Sequence, residues 1–213
     1  MPADTAAALA GCAAADDRLR RTLHGLDDGA VARPSLLPGW TVGHVLTHLA
    51  RNADSHVRVL TAAREGRAVE QYPGGGRQRE QDIDAGAGRP TAEIVEDVRH
   101  TTAALEASWA AMTADDWQAH GLSGGTPWPC AEMPGSRWRE VEVHHADLGL
   151  AYTPADWPDD FVVRELPLAL AGLDRRVGDA EVRRRLLAWL LGRGEQPSPV
   201  ALDRLPPSGG LYR

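Results

Sequence analysis

Glu140 and His144 are the first residues of this chain whose types and spacing suggest chemistry. They lie in a stretch where Trp138, Val141 and Leu148 recur at helical spacing. Residues four positions apart on a helix are neighbours, so this carboxylate and this imidazole would point to the same place. One helix commonly supplies two ligands to a divalent metal in this way. Such a pair more often only faces solvent, and a metal site would need a third ligand from another part of the chain.

A second helical stretch offers that third ligand. Its apolar residues follow helical periodicity from Val42 onwards, after Thr41, a residue type favoured at helix N-caps. His48 lies at the edge of the apolar stripe. Together with Glu140 and His144 it would leave one coordination position of a metal open, as in catalytic zinc sites. The alternative is a half-buried His48 with a hydrogen-bonded ring, and periodicity alone does not decide between the two.

The elements that would carry these residues are helical. The apolar periodicity predicts helices over about 4–24, 41–64, 91–112 and 136–148, with Thr91 capping the third, and further helical segments near 160–176 and 180–192. Pro167 is expected to break the first of these segments. Residues 65–90 are polar and glycine-rich and predict a long connection, and residues 113–135 look irregular. The prediction is an all-α fold, a four-helix bundle over 1–155 with a shortened, mainly helical C-terminal region over 156–213.

Composition limits the class of protein. The chain has 213 residues, 43% of them hydrophobic, which suits one large domain or one domain with a small appendage. Its net charge of -7 disfavours binding to nucleic acid or anionic membranes. No signal peptide or long apolar run is evident, so a soluble cytoplasmic protein is expected. Cys12 and Cys130 are interpreted as small buried hydrophobes. The sequence does not indicate the oligomeric state.

Two motifs resemble a known family. Residues 37–53, LPGWTVGHVLTHLARNA, closely resemble the opening motif of the mycothiol-dependent maleylpyruvate isomerase family, which belongs to the DinB-like superfamily of metal-binding four-helix bundles. Residues 139–149, REVEVHHADLG, resemble that family's second motif. The resemblance implies that His48, Glu140 and His144 bind zinc and that His44 is a non-ligand position. It also implies that the open position receives the sulfur of mycothiol.

The resemblance extends more weakly to two arginines. Arg79 begins a stretch similar to an Arg-x-x-Glu-Ile element of the family, and Arg193 lies in a Gly-Arg-Gly element whose arginine reaches the family's active site. Both arginines would then hold substrate carboxylates. The alternatives are a solvated loop arginine at position 79 and a helix C-cap contact at position 193. The family's full-length isomerases also have a C-terminal α/β domain, which is shortened here.

The resemblance implies a zinc-dependent enzyme whose partners are mycothiol and a small-molecule substrate. In the isomerase reaction, the thiolate adds to the double bond of maleylpyruvate, the bond rotates, and elimination gives fumarylpyruvate. A mycothiol S-transferase that acts on another electrophile is the alternative, and the shortened C-terminal region favours it. A non-enzymatic metal-binding or ligand-binding bundle is a further alternative. It would need a fourth protein ligand, for which His44 and His145 are the nearby candidates.

Asp147 is a candidate supporting residue. A metal-bound histidine commonly donates its other ring proton to a carboxylate or a carbonyl oxygen. Asp147 follows His144 by three positions, yet helix geometry favours His48 on the neighbouring helix as its partner.

Overall fold

The computed structural model describes residues 1–171, 173, 177 and 180–193. Its helices are α1 (Ala3–His24), α2 (Val42–Arg64), α3 (Gly75–Ala87), α4 (Thr91–Ala110), α5 (Met133–Asp147), α6 (Asp159–Leu170) and α7 (Ala180–Leu190). Two short strands, β1 (His120–Ser123) and β2 (Thr126–Pro129), lie between α4 and α5. The prediction of an all-α fold is confirmed. Residues 1–158 form one compact unit, and the second unit begins at residue 159.

The first unit is a bundle of α1, α2, α4 and α5. Helix α2 packs against α4 and α5, and α1 packs against the same two helices. The predicted stripe residues are all buried, Trp138 and Val141 on α5 and Leu148 directly after it. Full burial of a valine or leucine side chain stabilises a fold by about 1.5–3 kcal/mol. Gly11 of α1 makes room for Trp138, because a Cβ atom at position 11 would lie 2.5 Å from the indole ring.

The prediction of a long connection over residues 65–90 was wrong in its second half, which forms α3. This helix packs against α2 at two glycines. A Cβ atom at Gly43 would lie 2.2 Å from the carbonyl oxygen of Ala87, and one at Gly86 would lie 2.5 Å from Cγ2 of Thr47. The C-terminal end of α3 can therefore approach the first turns of α2 closely, and the Arg79 side chain of α3 lies beside His48.

A small hairpin lies within residues 113–135, which were predicted to be irregular. Strands β1 and β2 pair in antiparallel register, with Ser123 opposite Thr126. The two residues between them, Gly124 and Gly125, have φ angles of 57° and 77°. A two-residue turn with both φ angles positive matches the right-handed twist of the strands, and glycine adopts it without strain.

The helix ends confirm one predicted cap and correct another. Thr41 is the N-cap of α2, and its side chain accepts a hydrogen bond from the backbone N–H of His44. The N-cap of α4, in contrast, is Pro90, and Thr91 is the first residue of the helix. Its hydroxyl donates to the carbonyl oxygen of Asp28 at 3.0 Å, so it ties α4 to the preceding loop.

In the second unit, Pro167 lies inside α6 and does not end it. Helix α6 continues to Leu170, and of the rest of the helical segment predicted over 160–176, residues 172 and 174–176 lie outside the described residues. Helix α7 is followed by Gly192, whose φ is 66°. None of the helices in the described part of the chain has the length and apolar composition of a membrane span.

Candidate metal centre

His48 from α2 and Glu140 and His144 from α5 converge in the first unit. Nε2 of His48 lies 2.7 Å from Oε2 of Glu140, and Nε2 of His144 lies 3.5 Å from the same oxygen. One ligand atom from each residue lies within 4.8 Å of the other two. The three form the group of potential metal ligands found among the described residues. Two imidazole nitrogens and a carboxylate oxygen are a donor set suited to zinc.

Burial and mutual hydrogen bonding control the charges of these three groups. Burial lowers the pKa of His48 to about 4, although the hydrogen bond to Glu140 acts in the opposite direction. Burial also acts against the charges of the other two groups, but their hydrogen bonds outweigh it. The pKa of His144 rises to about 9, and that of Glu140 falls well below its usual range. The cluster therefore carries a carboxylate, a neutral imidazole and an imidazolium.

Asp147 supports the centre, but not through the predicted partner. Its Oδ2 lies 2.8 Å from Nδ1 of His144, one helical turn away. The expectation that His48 would be its partner was therefore wrong. A hydrogen bond from the second ring nitrogen to a carboxylate fixes the orientation of a histidine ligand and leaves Nε2 facing the metal.

The two predicted arginines differ in their environments. Nη2 of Arg79, on α3, lies 3.1 Å from Nδ1 of His48. Because a guanidinium can only donate, Nδ1 accepts this bond and Nε2 of His48 carries the proton that is shared with Glu140. Arg193 belongs to the second unit and is exposed. Its backbone N–H donates to the carbonyl oxygen of Ala188 at 2.7 Å, which is a helix C-terminal contact, and its role towards substrate stays a prediction.

The other histidines near the sequence motifs have different partners. Nδ1 of His44 lies 2.8 Å from Oγ1 and 3.2 Å from the backbone nitrogen of Thr41, so the ring completes the N-terminal cap of α2. His145 faces away from the centre, since it stacks on Tyr152 and its Nε2 lies 2.8 Å from Oγ1 of Thr22. His56 of α2 is fully buried, and its ring meets that of Trp128 edge-on with the centroids 4.9 Å apart.

Cys12 and Cys130 are both fully buried. Burial raises the pKa of both thiols, so neither is a ready thiolate nucleophile. The interpretation of the two cysteines as small buried residues is consistent with these surroundings.

Two aromatic residues near the centre were not predicted. The Trp40 ring centroid lies 5.9 Å from that of His48 and 6.1 Å from that of His44. The Tyr72 ring lies beside Arg79, whose Cζ is 5.9 Å from the ring centroid. Trp40 directly precedes the N-cap of α2, a position often filled by an apolar residue that packs against the first helical turns. Tyr72 had no such signal, because its contact depends on the unpredicted helix α3.

Fold and site together define a DinB-like helical bundle with a candidate metal centre of two histidines and a glutamate. A profile of the mycothiol maleylpyruvate isomerase N-terminal domain matches residues 12–149. The chain therefore belongs to this family, and the prediction of an isomerase-family enzyme is confirmed.

Solved structures agree with this assignment. Crystal structures of the mycothiol-dependent maleylpyruvate isomerase and of a histidine-to-alanine mutant of it are each similar to this chain, with a TM-score of 0.71 and 26% identity. Each match covers 76% of this chain and 67% of the other. A comparison with curated proteins gives no match.

Proposed function

We propose that this protein is a zinc-dependent enzyme that uses mycothiol to isomerise maleylpyruvate to fumarylpyruvate. The observation that carries the proposal is the convergence of His48, Glu140 and His144, with Asp147 bonded to the outer nitrogen of one ligand. The family and the isomerase structures supply the thiol and the substrate class.

The residues present fit a catalytic divalent metal. Nε2 of His48, a carboxylate oxygen of Glu140 and Nε2 of His144 would hold it, which leaves a position for an outside ligand. Zinc lowers the pKa of a bound thiol enough to deprotonate it near neutral pH. When the metal binds, His144 would have to lose its extra proton, and the proton of His48 would have to move from Nε2 to Nδ1, because a ligand nitrogen carries no proton.

The chain's own groups would then bind and orient the substrate. The Arg79 guanidinium lies beside the ligand His48 and matches the planar geometry of a carboxylate. The mycothiol thiolate would add to the double bond of maleylpyruvate, the resulting single bond would rotate, and elimination would return the thiolate. No net redox change and no further co-reactant are required. Arg193 is proposed as a second carboxylate-binding group.

A mycothiol S-transferase is the second candidate. One observation favours it: about a third of the similar isomerase chain has no counterpart in the match, which covers 67% of that chain. The same thiolate would then attack another electrophile and remain bound to it. A non-enzymatic metal-binding bundle is less favoured, because the nearby candidates for a fourth ligand, His44 and His145, have other partners.

Turnover distinguishes these functions. The zinc-loaded protein is incubated with mycothiol and maleylpyruvate, and fumarylpyruvate is measured, while a panel of electrophiles is tested for thiol conjugates. The isomerase proposal predicts fumarylpyruvate with no consumption of mycothiol. Conjugates without isomerisation would establish the S-transferase instead, and inactivity in both assays would contradict both enzymatic proposals.

A further inference from the structure

Tyr72 lies against the arginine that we propose as a substrate-binding group. The Cζ atom of Arg79 is 5.9 Å from the centroid of the Tyr72 ring, within the range of a cation–π contact. Nη2 of the same guanidinium lies 3.1 Å from Nδ1 of His48. We propose that Tyr72 is a positioning residue, whose ring holds the Arg79 guanidinium beside the metal ligands so that it meets the substrate carboxylate. The carboxylate-binding part of this inference rests on the proposed function.

The backbone around Tyr72 is fixed on several sides. The N–H of Gln71 donates to the carbonyl oxygen of Leu122 at 2.8 Å, and the N–H of Leu122 donates to that of Val69 at 2.9 Å, which ties the segment to strand β1. The side-chain nitrogen of Gln71 donates to Oγ of Ser55 on α2 at 3.2 Å. The N–H of Gly75 donates to the carbonyl oxygen of Tyr72 at 3.0 Å.

This rigidity matters because arginine is flexible. An arginine side chain carries about 2 kcal/mol of rotamer entropy, so a partner must hold it if it is to keep one orientation. Arg79 lies in the second turn of α3, a helix that packs on α2. The residue is half-buried. The segment around Tyr72 is hydrogen-bonded to β1 and α2, so its ring gives the guanidinium a fixed surface to pack against.

The phenol itself is neutral in this environment. Burial raises the pKa of Tyr72, and the charge of Glu140 acts in the same direction, while Arg79 and Ser55 act against it. A neutral ring offers the guanidinium its face, and no ion pair competes for the arginine charge. Substrate carboxylate would therefore meet an oriented guanidinium whose charge is not already neutralised by Tyr72.

The test is a double-mutant cycle on the zinc-loaded full chain. Tyr72→Leu removes the ring, Tyr72→Phe keeps it, and Arg79→Met removes the cation. With maleylpyruvate and mycothiol, Tyr72→Leu should lower kcat/KM roughly 3- to 30-fold, mainly through KM, as expected for a lost cation–π contact. Tyr72→Phe should recover most of this loss. In the Arg79→Met background, Tyr72→Leu should have little further effect, and equal losses in both backgrounds would overturn the inference.

A second measurement does not depend on the reaction. In the ¹⁵N-labelled zinc-loaded protein, the heteronuclear NOE of the Arg79 Nε–Hε group, assigned by its loss in Arg79→Met, reports the order of the guanidinium. It should fall in Tyr72→Leu and stay high in Tyr72→Phe, while the exposed Arg77 serves as the internal control. An unchanged NOE in Tyr72→Leu would contradict positioning by Tyr72. A fall in the NOE in a protein without isomerase activity would support positioning and contradict the proposed function alone.

Discussion

Helix α5 carries two glutamates, Glu140 and Glu142, whose environments are opposite in kind. Glu142 is fully buried. Its carboxylate accepts hydrogen bonds from Arg18, from the indole N–H of Trp138 at 3.1 Å and from the hydroxyl of Tyr152 at 2.5 Å. The side chain of Glu140, which is 15% exposed, contacts the imidazole rings of His48 and His144. The two glutamates are only two positions apart, so they face different sides of the same helix.

The hydrogen-bond partners of the two glutamates indicate which one stabilises the fold and which one can serve a metal. The donors around Glu142 are an arginine, an indole and a phenol, which keep their protons at neutral pH and cannot bind a metal in exchange. The partners of Glu140 are imidazoles, which can give up a proton and become ligands together with the carboxylate. We therefore expect Glu142 to stabilise the fold and Glu140 to serve the metal.

The largest expected effect is on metal binding. His48→Ala, Glu140→Ala and His144→Ala should each lose bound zinc, because two ligands hold the ion far less tightly than three. The fold should persist, since the apolar residues of α2 and α5 that form the core are unchanged. Metal analysis and circular dichroism of the purified variants measure both outcomes.

The matched control is His44→Ala, which removes a histidine of the same motif that caps α2. It should keep its zinc and lose the hydrogen bond from the backbone N–H of Thr41 to the His44 ring, together with the ring contact with Trp40, at a cost of roughly 1 kcal/mol in the free energy of unfolding. Full zinc occupancy in His48→Ala would remove that residue from the site.

The next effect is on stability and separates the two glutamates. Glu142→Ala leaves the Arg18 charge without its buried partner, a change that typically costs 3–5 kcal/mol. We expect roughly 3 kcal/mol in the free energy of unfolding, because Arg18 is 23% exposed and reaches solvent. Urea denaturation measures the loss. The folded fraction should still bind zinc, whereas a normal stability together with a lost metal would reverse the roles assigned to Glu140 and Glu142.

A smaller effect is expected in the second unit. If Arg193 binds a substrate carboxylate, Arg193→Ala loses a charge-assisted hydrogen bond worth about 1.5–3 kcal/mol, which is roughly a 10- to 100-fold loss in kcat/KM. Zinc content should stay normal. Arg193→Lys should recover only part of the activity, because an ammonium lacks the planar fork of the guanidinium. Undiminished activity of Arg193→Ala towards maleylpyruvate, measured beside an uncharged electrophile, would favour the S-transferase.

The smallest effect concerns Asp147. Asp147→Asn retains the size of the side chain but weakens its hydrogen bond to Nδ1 of His144. Loss of such a bond typically lowers metal affinity by roughly 10-fold or more. A competition titration against a chelator gives the zinc dissociation constant. If that constant does not change, Asp147 has only a surface or capping role.

The sequence predicted the main helices and the ligand set because both depend on short-range spacing. The apolar stripes of α2 and α5 repeat at helical intervals, and Glu140 and His144 are one turn apart. His48 was proposed from its position at the edge of the stripe of α2, and the motif resemblance then implied that His44 is a non-ligand position. The structure places these three residues together, and zinc binding by them stays a prediction.

The remaining features depend on tertiary contacts that a single sequence does not contain. Helix α3 was missed because Ile83 and Ala87 are its only buried residues, too few to make an apolar stripe. The different fates of Glu140 and Glu142 follow from Arg18 and Tyr152, which come from other parts of the chain. The hairpin was predictable in principle, since two consecutive glycines suit its turn.

The most direct test of the account is anomalous scattering at the zinc edge from crystals of the zinc-loaded protein. We predict one peak bonded to His48 Nε2, a carboxylate oxygen of Glu140 and His144 Nε2, at the usual zinc distances of about 2.0–2.2 Å, with water in the fourth position. A peak elsewhere in the chain, or a fourth protein ligand that closes the site, would contradict the central claim that these three residues form an open catalytic metal centre.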